Sequence, residues 1–276
     1  MKPLAPLVLL LVLAGCDAFA ENEPAARIDL DKIGVATPAP KAAPEVAAAS
    51  VCEQAVFEEA ALTHCVADPA AHAIATALAP EGRMPYRSFA SYNAENGADG
   101  VAFGMNGGMY DDDGQPIGYY VEGGERLKEL NRADGPGNFH LKPNGVFFGS
   151  GNSWQVLSAD RFYAEVANRP AFATQSGPML VVDGAIHSEI TENGPSRLTR
   201  NAVGVDAAGR AHFVISQGPI SFGLLARYFL NELETPNALF LDGSVSALWD
   251  PVNDRMDGLA PLGPLILVQN KAQAAP

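Results

Sequence analysis

From about Val51 onward the chain is built of short apolar runs, each stopped within a few residues by Gly, Pro, Asn or Asp. Such punctuation leaves little room for long amphipathic helices and favours strands joined by loops. The runs predict strands at Val101–Met105, Ile117–Val121, Gly145–Phe148, Met179–Val182, Ala202–Val205, His212–Ser216, Ala238–Leu241 and Leu265–Val268. Two segments have helical character. Ala159–Asn168 follows a candidate N-cap at Ser158, and Phe222–Leu233 follows one at Ser221. In the second, Leu225, Phe229 and Leu233 recur every four residues and give one apolar face. The expected class is α+β, a single domain of mixed β-sheet with a few packed helices.

The N-terminus has a different character. Lys2 precedes an apolar stretch too short to span a bilayer, which reads as a signal peptide over residues 1–15. The stretch runs into Leu13-Ala14-Gly15-Cys16, which resembles a bacterial lipobox and makes Cys16 the expected lipidation site. Residues 16–50, rich in Ala and Pro, read as a tether with no periodic pattern to bury. The folded domain is expected over 51–276, held at the cell envelope by its lipid and facing the periplasm or the exterior. Of the remaining cysteines, Cys52 and Cys65 lie 13 apart, too distant to bridge along one helix. If Ala55–Phe57 and Leu62–Val66 pair around a turn at Glu58-Glu59, the two face each other and a disulfide is expected. Two reduced, buried cysteines are the alternative.

Composition narrows the function. The chain of 276 residues carries a net charge of −14 and 47% apolar residues, enough for a substantial core but without the basic surplus that nucleic-acid binding requires. No phosphate-binding loop, dinucleotide fingerprint, H-E-x-x-H or C-x-x-C motif occurs, so no cofactor and no metal is expected. Asp111-Asp112-Asp113-Gly114 lacks the other ligands of a calcium loop and reads as a solvated acidic turn.

Four Gly- and Asn-rich segments each sit at the end of an apolar run: Met105–Tyr110, Gly137–Gly145, Gln175–Met179 and Leu241–Ser246. Glycine turns at strand ends let backbone approach a ligand, and amides and hydroxyls suit sugar hydroxyls. A fifth segment, Ser196–Asn201, brings Arg197 and Arg200 up to an apolar strand, where a guanidinium fork could meet a phosphate. Lys142 is another cation in a rigid setting beside Pro143.

In order, Asn106–Tyr110, Gly137–Phe147, Ala173–Val181, Arg200–Val205 and Ala238–Ser246 resemble the motifs of the phosphodiester glycosidase family, in an exported bacterial branch. The likeness spans roughly Arg87 to Gln269. It departs at Asp242-Gly243-Ser244-Val245-Ser246, where better-known members carry Asp-Gly-Gly-Gly-Ser. The resemblance implies hydrolysis at the anomeric carbon of a sugar-1-phosphate diester. That reaction needs a carboxylate at the anomeric carbon, for which Asp242 at the end of an apolar run is the first candidate and Glu122 the second, and cations on the departing phosphate, for which Arg200 and Lys142 are the candidates with Arg197 behind them. Asn106, Gly107, Asn144, Gln175, Ser176, Asn201, Gly243 and Ser244 would surround the sugar. The expected partners are a sugar-phosphate or glycan substrate and, through the lipid only, a membrane; nucleic acid is not among them. The competing reading is a lipid-tethered glycan-binding protein without catalysis.

Overall fold

A computed structural model describes residues 49–80, 82–242 and 245–272. The expected signal segment, Cys16, most of the tether, Gly243 and Ser244 lie outside the described residues. The domain is α+β, and its strands form three sheets in which every described pairing is antiparallel.

With strands numbered along the chain, the first sheet runs β1 (Cys52–Phe57), β2 (Ala60–Ala67), β13 (Ala211–Ser216), β12 (Asn201–Val205), β14 (Asn237–Phe240), β10 (Met179–Val182) and β11 (Ala185–Ile186). The second runs β16 (Arg255–Met256), β15 (Leu248–Asp250), β4 (Val101–Asn106), β17 (Leu265–Asn270) and β3 (His72–Ala77). The third runs β6 (Glu125–Lys128), β5 (Tyr120–Glu122), β9 (Phe172–Ser176), β7 (Gly145–Ser150) and β8 (Ser153–Ser158). Among the described residues there are three α-helices: α1 (Phe89–Asn96), α2 (Ala159–Glu165) and α3 (Phe222–Arg227).

The β1–β2 hairpin turns on Glu58 and Glu59, both left-handed at φ 46° and 66°, as a two-residue hairpin turn of the twist-matched kind demands. Its register sets Cys52 opposite Cys65, and the two form a disulfide. Both expected helix caps are present: Ser158 accepts from the Arg161 N–H and Ser221 from the Leu224 N–H. The helix begun at Phe222 widens into a π-helical turn over Tyr228–Glu232.

The three sheets share one core. Phe103 of the second sheet and Phe147 of the third both meet Phe213 of the first, with ring centroids 5.2 and 5.7 Å apart. Each fully buried phenylalanine is worth about 2–3 kcal/mol by area, so this aromatic junction fixes how the sheets face one another. A second core lies on the other side of the first sheet, where Leu224, Leu225 and Phe229 cover Ala202, Val214 and Phe240. Strand β12 therefore divides its side chains. Asn201 and Val203 turn toward the inter-sheet core, whereas Ala202 lies under α3.

Candidate active site

The ends of β4, β12 and β14 come together, and one hydrogen-bond network ties their motifs. The Asn201 amide donates to Asn106 Oδ1 at 2.8 Å and accepts from the Asp242 backbone N–H at 3.1 Å. Asn106 donates to the Val245 carbonyl at 2.8 Å and accepts from the Ala247 N–H at 2.8 Å. Ser246 donates to the Asp242 carbonyl at 2.8 Å, and the Ser176 hydroxyl donates to the Leu241 carbonyl. The two buried asparagines thus hold Asp242 on one side and Val245 and Ala247 on the other. Burial of so many amides is tolerable only because each is paired.

Glycines allow the motifs to pack this closely. A Cβ on Gly108 would lie 2.1 Å from the Gln175 carbonyl oxygen, and one on Gly177 would lie 2.7 Å from that of Phe139. Backbone thus meets backbone where any side chain would hold the strands apart.

Asp242, 6% exposed, lines a cleft of about 490 Å³ together with Arg87, Tyr110, Asp112, Ile117, Asn138 and Val245. The Arg87 guanidinium lies over the Tyr110 ring at 5.3 Å, and its Nη1 is buried with no hydrogen-bond partner among the described residues. Arg87 also has left-handed backbone, φ 60°, a conformation of measurable cost for a residue with a side chain. Burial, and then the Asp242 carboxylate, push the Tyr110 hydroxyl above its ordinary pKa, so it is a neutral phenol that donates to the Pro261 carbonyl at 2.6 Å. The cleft therefore presents a carboxylate, a guanidinium and a neutral phenol to one space.

The residues expected from the sequence divide into three groups. Asn106, Asn201 and Asp242 meet as described, with Ser176 and Gly107 beside them; the Gly107 N–H donates to the Pro264 carbonyl at 2.7 Å. Gln175 and Asn144 are buried supports. Gln175 accepts from the Tyr119 and Asn131 N–H groups, and Asn144 donates to the Phe139 carbonyl.

The remaining four, Arg200, Lys142, Glu122 and Arg197, are not part of the Asp242 cleft. Arg200 is fully buried on the α3 side of the first sheet, its guanidinium 3.7 Å above the Phe222 ring and bonded to Ile220 and Ser196. Burial lowers its pKa to about 10. Lys142 pairs with Asp134 at 2.5 Å on the exposed surface. Glu122 accepts from the Tyr120 hydroxyl and the Leu78 N–H, and burial raises its carboxyl above the usual range. Arg197 is exposed. The expected convergence of Lys142 and Arg200 on Asp242 is therefore replaced by Arg87, which lies in no motif. Tyr110 and Asn138, which also line the cleft, lie inside the motifs, where the pattern gives them no chemical signature of their own. Among the described residues, no group of three or more His, Cys, Asp or Glu side chains could hold a metal ion.

The model of one protein family, described as phosphodiester glycosidase, matches residues 99–268. The chain is 38% identical over 149 residues to the Escherichia coli K12 uncharacterized protein YigE, a match covering 54% of this chain and 58% of that protein. Among solved structures it resembles the catalytic domain of zebrafish N-acetylglucosamine-1-phosphodiester alpha-N-acetylglucosaminidase, auto-inhibited by its pro-peptide. The TM-score is 0.54 at 14% identity, over 80% of this chain and 82% of that one. A hypothetical protein from Synechocystis gives 0.50 at 14% identity, over 80% and 61%. At these identities the structural matches establish a shared fold.

Proposed function

This chain belongs to the phosphodiester glycosidase family, and on that premise we propose that its Asp242 cleft hydrolyses a sugar-1-phosphate diester at the anomeric carbon. The observation that carries the reading is the placing of Asp242, Tyr110 and Arg87 around one cleft. Hydrolysis of this kind breaks the bond between the anomeric carbon and the phosphate oxygen, and the bonding pair leaves on the phosphate monoester. A water oxygen ends on the anomeric carbon. Arg87, which lines the cleft and whose Nη1 has no acceptor among the described residues, stabilises the charge that collects on the phosphate; preorganised cations of this sort act at the developing charge. A phosphate monoester departs as an anion, so no strong general acid is required.

Asp242 works on the opposite side of the reacting bond, either by taking the proton of the attacking water or by attacking the carbon itself. The stereochemical outcome separates these roles: inversion assigns the base and retention the nucleophile. We further propose, from the lipobox-like sequence ending at Cys16, that the substrate pool is that of the cell envelope.

The test is release of phosphate ester from a panel of chromogenic sugar-1-phosphodiesters by the full chain. Turnover should fall by about 10²–10³-fold in Asp242→Asn, in line with loss of a positioned acid–base group. Equal turnover in both proteins rejects Asp242. Failure to turn over any member supports a glycan-binding protein instead.

A further inference from the structure

A second cleft, of about 610 Å³, is lined by Arg126, Arg132 and Arg169 together with Tyr119, Phe162 and Tyr163. Three arginines in one cleft are informative in a chain with only 18 basic residues and a net charge of −14. Glu129 is the one acidic residue among those lining it. The cations are only partly neutralised. Arg126 pairs with Glu129 at 2.8 Å, and that carboxylate is largely exposed. Arg132 uses its Nε on Asp160 at 2.8 Å and lies over the Tyr163 ring at 4.5 Å. Arg169 has no carboxylate partner among the described residues; its one hydrogen bond runs to the Gly124 carbonyl at 3.5 Å.

The aromatic part is built rather than incidental. Phe162 packs on Tyr119 with centroids 4.9 Å apart, and both are buried, while Tyr163 stands 68% exposed at the rim. This rim and floor offer apolar ring surface for the carbon face of a sugar, and the guanidinium forks match a phosphate or a carboxylate in plane. The loop between the two clefts is fixed. Asn131 is gripped by Gln175 through its N–H and carbonyl, and donates to the carbonyl of Ile117, a residue of the Asp242 cleft.

We propose that this arginine-lined cleft is a second binding site, for a sugar ring that carries a phosphate or a carboxylate, distinct from the Asp242 cleft. The proposal does not require that the Asp242 cleft be catalytic.

The test is calorimetric titration of the full chain with glucose 6-phosphate, glucuronate, glucose and inorganic phosphate, in wild type, Arg126→Gln/Arg169→Gln and Asp242→Asn. At least one of the two anionic sugars should bind, with tenfold or greater weakening in the double arginine variant and less than twofold change in Asp242→Asn. Glucose and inorganic phosphate should each bind at least tenfold more weakly than that anionic sugar. The two sugars separate phosphate from carboxylate as the preferred anion. The substituted arginines are solvent-facing, and an unchanged thermal midpoint verifies that the variant is folded. Absence of binding, binding that survives loss of both arginines, or binding lost in Asp242→Asn instead would each overturn the proposal. So would equal affinity for phosphate alone. Turnover of a small phosphodiester that persists in the double arginine variant would leave the Asp242 reading intact whatever the titration gives.

Discussion

Replacing Asn201 by alanine should destabilise the domain by about 2–4 kcal/mol and disable the Asp242 turn at the same time. The side chain is fully buried and serves two loops. Its Nδ2 donates to Asn106 Oδ1 at 2.8 Å, and its Oδ1 accepts from the Asp242 N–H at 3.1 Å. Loss of the acceptor beneath the Asp242 N–H costs about 1–3 kcal/mol, the penalty of a buried donor deprived of a partner. Asn106 Oδ1 keeps the Ala247 N–H, so loss of the Asn201 Nδ2 bond adds about 1 kcal/mol. With a urea slope of about 2–3 kcal/mol/M for a domain of this size, the midpoint should fall by about 1 M. Asn201→Asp should cost at least as much at neutral pH, because it sets an acceptor against Asn106 Oδ1. The assay is urea unfolding followed by far-UV circular dichroism. A midpoint shift below about 0.2 M with unchanged slope in Asn201→Ala would show that the asparagine pair does not hold the turn.

Three further outcomes follow from the packing and charge. His64 and His212 are buried on the first sheet, joined ring nitrogen to ring nitrogen at 2.9 Å, with Asp206 beyond at 3.1 Å. Burial, then His212 and Arg210, lower the His64 pKa to about 4. The unfolded chain therefore binds the proton first, and the stability this imidazole contributes is full above about pH 6.5 and lost as pH falls toward 4, on the order of 3 kcal/mol. Urea midpoints at pH 7 and 4.5 should differ in wild type and differ less in His64→Gln; an unchanged difference would be the wrong result. Gly108→Ala puts a methyl group against the Gln175 carbonyl and should cost about 1–3 kcal/mol or more, read from the thermal midpoint, with no loss telling against the close backbone approach. Removing the Cys52–Cys65 link, which closes 13 residues of chain, should cost about 3 kcal/mol by loop-closure entropy; equal urea midpoints in the double alanine variant and wild type would contradict that figure.

Much of the fold is legible in the sequence where an apolar run is continuous. Val101–Asn106, Gly145–Ser150, Met179–Val182 and Leu265–Asn270 are strands for the reason the pattern suggests: they are buried along most of their length. His72–Ala77 and Ser153–Ser158 escaped because small and polar residues interrupt them, and pairing with neighbours decides their state. Helix Phe89–Asn96 has Phe89 as its one buried residue, so periodicity had little to find. In the site, the motifs located the Asp242 turn and its asparagine supports. Arg200 lies over Phe222 while Asn201 meets the Asp242 N–H, because adjacent residues of an extended segment face opposite sides. Arg87 was not legible. Its position in the cleft depends on a left-handed backbone and a stack on Tyr110, two long-range outcomes that leave no local signature.

Glycoside cleavage and phosphodiester cleavage give the same products but break different bonds, and isotope transfer separates them. When a sugar-1-phosphodiester is hydrolysed by the full chain in ¹⁸O-labelled water, the label should appear on the anomeric carbon of the released sugar. The phosphate monoester should carry none. Label in the phosphate would mean attack at phosphorus, and would contradict a glycosidase centred on Asp242.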